Sequence, residues 1–148
     1  MPSLALTGIH HVAYVVADMD EAIRFVEESL GLKLDRRETL EEFEGAFFRV
    51  GESIIELIRP RREDSEYTKF LSEGNMGLHH VAFSSPDIEE QAERMKAGGV
   101  GFERIWVAET DWLITNVDNG NNKLGMRLQL VAEKDRPSER EKRGLDII

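Results

Sequence analysis

Gly8-Ile9-His10-His11-Val12-Ala13-Tyr14 returns 69 residues later as Gly77-Leu78-His79-His80-Val81-Ala82-Phe83, and the two copies contain all four histidines of the chain. The correspondence runs on through Asp18 with Asp87 and Glu21 with Glu90. Self-similarity at one spacing over this length is the mark of an internal duplication, so one repeat unit decides the fold.

In each copy the apolar, β-branched stretch around the histidines predicts a strand, and a helix with its own start signal follows it. The first helix opens on the capping box Asp18-x-x-Glu21, carries an apolar stripe of Ala22, Val26 and Leu30, and stops at Gly31. The second begins at Ser85-Pro86-Asp87, places Ile88, Ala92 and Met95 on one face and ends at Gly98-Gly99. Strand-like stretches come next: Lys33 to Arg37, Ala46 to Val50 and Ser53 to Ile58, then Phe102 to Val107, Trp112 to Val117 and Met126 to Val131. The expected fold is therefore α+β, two βαβββ modules over about residues 8–60 and 77–132. They are joined by 61–76, where Glu63 to Leu71 reads as a short helix capped by Asp64 or Ser65. Residues 133–148 are mostly charged or polar, with Pro137 among them, and read as a solvated tail outside a single domain of residues 1–132.

The chain has 148 residues, 41% of them hydrophobic, which suffices for a real core. It contains no cysteine, so a metal would have to be held by imidazole, carboxylate or amide groups. Nineteen basic residues against 29 acidic ones leave a net charge of −10, which argues against a nucleic-acid partner. No apolar run approaches the length of a membrane span, and MPSLALTG lacks the features of a signal peptide, so a cytoplasmic protein without a membrane partner is expected.

Alternation along a strand sets His11 on one face with Ile9 and Ala13, and His10 on the other with Val12 and Tyr14, so one histidine of each pair can enter a given cavity. The last strand of each copy embeds a polar residue among apolar ones: Glu56 in Ser53-Ile54-Ile55-Glu56-Leu57-Ile58 and Gln129 in Arg127-Leu128-Gln129-Leu130-Val131. A carboxylate is costly to bury unless it is paired or bound to a metal. Two histidines, Glu56 and Gln129 would make a four-ligand site of nitrogen and oxygen donors. The competing structural readings are core histidines satisfied by hydrogen bonds, an ion pair of Glu56 with Arg49, Arg59 or Arg127, and a Gln129 bonded to backbone.

With these residues in view the chain resembles the vicinal-oxygen-chelate superfamily, which includes glyoxalase I, methylmalonyl-CoA epimerase, extradiol dioxygenases and antibiotic-resistance binding proteins. The nearest resemblance is to the epimerases, through both histidine segments, Glu56-Leu57-Ile58-Arg59-Pro60, Glu63-Asp64-Ser65 and Lys69-Phe70-Leu71. It implies two open sheets forming a cup-shaped mixed sheet around a divalent metal, which in such proteins is Co, Ni, Zn, Mn or Fe. Carried over residue by residue, the metal ligands are His11, Glu56, His80 and Gln129, and His10 and His79 are structural.

The implied chemistry is proton abstraction next to a metal-chelated carbonyl by an isomerase, epimerase or lyase acting on a small molecule, with acyl-CoA thioesters among the substrates. Family habit also implies a homodimer. Two departures bear on mechanism. Gln129 stands where epimerases have a glutamate that also serves as a base, and an ungapped reading from Gly45 puts Phe48 where they have a second glutamate. Glu56 is then the catalytic carboxylate, and Glu44 and Asp111 are weaker candidates for a second proton carrier. Arg59, Arg61, Arg62 and Lys69 could grip coenzyme A phosphates or be ordinary solvated charges. Thr110 to Asp118 replaces the usual epimerase loop, and Trp106 and Trp112 there suit a more apolar or aromatic ligand. A glyoxalase I-like lyase and a metal-free binding protein for a small aromatic compound are the alternative functions, and an extradiol dioxygenase is less favoured because Gln129 replaces the glutamate such a site needs.

Overall fold

The computed structural model describes residues 6–103, 105–107, 112–117, 124 and 126–132. Thr110, Asp111, Asp118 and the polar tail from Glu133 lie outside the described residues, as does the side chain of Trp106. Among the described residues the elements follow in the order β1 Gly8–Val15, α1 Met19–Ser29, β2 Leu34–Thr39, β3 Phe43–Val50, β4 Ser53–Pro60, α2 Glu66–Ser72, β5 Gly77–Ser84, α3 Ile88–Ala97, β6 Trp106–Val107, β7 Leu113–Asn116 and β8 Arg127–Ala132. The fold is α+β with the βαβββ order written twice. Contacts divide the chain into two compact units, one of residues 11–79 and one that joins the residues before His11 to those from His80 onward.

In the unit of residues 11–79, β1 runs parallel to β4, and β4, β3 and β2 pair antiparallel. A parallel neighbour needs a crossover, and α1 supplies it. The Asp18 carboxylate accepts from the Glu21 backbone N–H at 3.0 Å and so starts the helix where the capping box predicts. After Leu30 the chain turns through Gly31 at φ +71°, a conformation glycine adopts without cost. The buried stripe of α1 is Met19, Ile23 and Val26, packed with Ala46, Phe48 and Leu57. Leu30, expected in that stripe, is 54% exposed, because it is already the C-cap and the helical periodicity no longer governs it. The opposite sheet face buries Ala13, Val15 and Ile58 under Phe43 and the Tyr67, Phe70 and Leu71 side chains around α2. Ser65, one of the two expected caps, holds the start of α2 by accepting from the Thr68 N–H.

The other unit repeats the plan: β5 is parallel to β8, and β8, β7 and β6 pair antiparallel. Asp87 caps α3 through the Glu90 N–H at 3.1 Å, Ile88 and Ala92 are buried, and the helix ends at Gly98 with Gly99 at φ +92°. The expected strand from Phe102 shrinks to the two residues of β6 and an isolated bridge between Phe102 and Val117. No helix among the described residues is long and apolar enough to cross a membrane.

Candidate functional site

Register across β1, β4 and β3 fixes which side chains share a face. His11 lies beside Ile54, Ala13 beside Glu56, and Phe47 on the other side of Glu56. His11 and Glu56 therefore project from one face of neighbouring strands, and Leu57, one residue on, faces α1. Both polar residues are buried, and His11 Nε2 stands 3.9 Å from a Glu56 carboxylate oxygen. That gap is too long for a hydrogen bond, so the two groups stand near one another without bonding directly. Burial among Ile54, Ile58, Ala13 and Phe47 pushes the Glu56 carboxyl up from 4.5 to about 8, since desolvation penalises the charged form. In the metal-free chain the carboxyl therefore keeps its proton at pH values where an exposed glutamate has lost it.

The same register recurs in the other unit. Ala82 lies beside Gln129 as Ala13 lies beside Glu56, and His80 precedes Ala82 by two residues, so buried His80 and buried Gln129 share a face of β5 and β8. The Gln129 side-chain oxygen is buried and accepts no hydrogen bond among the described residues. An acceptor left in that state costs about 1–3 kcal/mol, which a ligand or cation would relieve. His11, Glu56 and His80 are all buried groups able to offer a metal-ligating atom. The neutral amide of Gln129 is a further oxygen donor, and imidazole, carboxylate and amide are all donor types that suit divalent ions of the transition series.

The first histidine of each pair is engaged elsewhere. His10 packs edge-on against Trp112 with ring centroids 4.5 Å apart, and His79 lies among Tyr67, Phe70 and Glu66, with its Nε2 3.8 Å from the Glu66 carboxylate. Trp112, expected to shape a ligand cavity, is 1% exposed and belongs to the packing around His10. Glu44 does not serve as the second proton carrier: it sits two residues from Ala46 on the α1 face, opposite to Glu56, and is held by Arg37 at 2.8 Å. Phe48 fills the α1 core, and Phe47 is the aromatic beside Glu56. Arg59 alternates to the other face from Glu56 and is exposed, and Arg127 lies 3.9 Å from Glu103. Arg62 pairs with Asp64, Lys69 lies near Glu73, and Arg61 donates to the Leu40 carbonyl.

Sequence reasoning missed Asn116 and Glu103. Asn116 lies beside Gln129 across β7 and β8 and donates through its amide nitrogen to Glu103 at 2.8 Å. The repeat spacing that matches His11 with His80 also matches Phe47 with Asn116, and that correspondence is the signal that would have found it.

The family model for the glyoxalase/bleomycin resistance protein/dioxygenase superfamily matches residues 10–115. The chain belongs to that superfamily. The matched span includes His11, Glu56 and His80, and the place of Gln129 beyond it rests on the strand register. An uncharacterised protein of Bacillus subtilis (strain 168), YqjC, is 36% identical over 92 residues, covering 61% of this chain and 66% of its own. The mitochondrial methylmalonyl-CoA epimerase of Mus musculus is 30% identical over 98 residues, 64% of this chain and 55% of its own. The chain thus spans less than two thirds of the length of each of these relatives. Among solved structures, the methylmalonyl-CoA epimerase of Mycobacterium tuberculosis superposes with a TM-score of 0.79 at 26% identity, covering 89% of this chain and 91% of that one. The vicinal-oxygen-chelate fold with epimerases among its relatives is therefore the right frame for these residues.

Proposed function

We propose that this chain is a divalent-metal-dependent isomerase of the epimerase type, which moves a proton on the carbon next to a chelated carbonyl of a small molecule. The observation that carries the reading is Glu56, a carboxyl buried among apolar side chains with an oxygen 3.9 Å from His11 Nε2. His11, Glu56, His80 and Gln129 would hold the metal. When bound, the ion would polarise the carbonyl oxygens and stabilise the negative charge that develops as the proton leaves.

The remaining work falls to the chain's own side chains. A Glu56 carboxylate oxygen accepts the proton and returns it, and Phe47, Ile54 and Ala13 keep water from that oxygen. Gln129 has no proton affinity at neutral pH, so its part is to orient and ligate. The likeness to methylmalonyl-CoA epimerases supports an acyl-CoA thioester as substrate. Elemental analysis of the purified chain tests the site: about one divalent ion per chain is expected in the wild type and little in His80→Ala. Full occupancy in the His80→Ala protein overturns the ligand assignment.

A further inference from the structure

Asn116 and Gln129 stand side by side on adjacent strands, 6% and 7% exposed, and each has a buried amide oxygen that accepts nothing among the described residues. An amide oxygen buried without a donor is costly, and the cost arises twice here unless donors or a cation serve the two oxygens. Rotation of the Asn116 amide does not solve the problem. Its nitrogen donates to the Glu103 carboxylate at 2.8 Å, and the turned amide would set oxygen against oxygen.

Glu103 is itself fixed. The Thr115 hydroxyl donates to the Glu103 carbonyl at 2.7 Å, the Glu103 N–H donates to the Asn116 carbonyl at 3.0 Å, and Arg127 lies 3.9 Å from the other Glu103 carboxylate oxygen. The clamp therefore holds Asn116 Oδ1 as a preset acceptor on a residue that shares its sheet face with Gln129. The corresponding residue of the other unit, Phe47, offers no such atom.

We propose that Asn116 is a specificity-determining residue whose Oδ1 accepts the hydrogen of a hydroxyl on the bound small molecule, so that the chain selects 2-hydroxy carbonyl compounds over analogues lacking that hydrogen. The inference rests on the reading of Gln129 as a metal ligand, which places the ligand next to Asn116. A site built to receive a donor rejects the analogue without one because its own acceptor is then left unpaired.

Calorimetric titration of the zinc-loaded full chain with glycolate and with fluoroacetate, whose fluorine is close to a hydroxyl in size and has no hydrogen to give, tests the idea. The ratio of the two affinities should fall at least about tenfold from wild type to Asn116→Ala, a comparison that cancels any difference in chelation. Glu103→Gln, in which the clamp no longer dictates which way the Asn116 amide turns, should give an intermediate ratio. A ratio unchanged in Asn116→Ala overturns the proposal, as does a bound water serving the two oxygens, which would leave wild type and variant alike. Should Asn116→Ala fail to fold, an unchanged ratio in Glu103→Gln, a change at a half-exposed side chain, overturns it equally. Zinc stoichiometry on the same samples separates the two readings. A wild-type chain that takes no zinc contradicts the metal assignment, and the ratio measured on that zinc-free chain still decides Asn116.

Discussion

His11, Glu56 and Phe47 in one unit and His80, Gln129 and Asn116 in the other hold matching places on matching strands, yet their chemistry is opposite. The first trio sets an acid against an aromatic ring, so the carboxyl is desolvated and its proton affinity rises. The second sets two neutral amides side by side and clamps one of them through Glu103. Duplication supplied two equal frames. In our reading one became the proton carrier's and the other the ligand-orienting side, and an enzyme with one base in the shell needs that division.

The comparison can be broken most severely at the shared element, the histidines. His80→Ala and His11→Ala should each remove most of the bound metal and all measurable turnover, by elemental analysis and an exchange assay, while circular dichroism stays that of the wild type. Next in size is the exchange of the unlike members. Glu56→Gln should lower turnover by about 10²–10⁴-fold, the usual worth of a positioned acid or base. Adding Gln129→Glu to it should return a carboxylate to the proposed ligand set without restoring full turnover, because the acid then faces Asn116 rather than Phe47.

Smaller effects sharpen the contrast in thermodynamic terms. With its carboxyl near 8 in the folded chain and near 4.5 when exposed, Glu56 keeps its proton in the native state after the unfolded chain has lost it. The metal-free protein should then be most favoured by this group below pH 4.5 and lose stability as pH rises towards about 8, by up to about 1.4 kcal/mol per pH unit. Urea melts across that window should show the slope in wild type and its absence in Glu56→Gln. The same protonation predicts that metal binding below pH 8 releases a proton from Glu56, seen as buffer-dependent heats in calorimetry. Least of all, Asp18→Ala and Asp87→Ala should each cost about 1 kcal/mol in the same melts, since the two caps make one bond of the same kind.

Much of this organisation can be read directly from the residues because it is local. The caps at Asp18 and Asp87, the stop at Gly31 and the strand alternation that separates His10 from His11 depend on neighbours a few positions away. Glu56 and Gln129 stand out because a polar residue inside an apolar strand has few structural excuses. Asn116 does not stand out in Leu113-Ile114-Thr115-Asn116-Val117, since its meaning comes from a cross-strand register and from Glu103 thirteen residues back. The surroundings of Glu44 and Trp112 are hidden in the sequence for a related reason. Which face a strand residue takes, and whether an arginine or a histidine meets it there, are set by long-range pairing.

The claim that one unit holds the proton carrier is tested most directly by deuterium uptake from solvent into lactoyl-CoA, a thioester that carries both the acidic carbon and the hydroxyl proposed to meet Asn116, followed by mass spectrometry on metal-loaded wild type and Glu56→Gln. The account predicts uptake by the wild type and, in Glu56→Gln with metal still bound, uptake lower by at least about 100-fold. Undiminished exchange in Glu56→Gln would contradict the assignment of Glu56, and stoichiometric metal with no exchange in the wild type would keep the site and discard the epimerase.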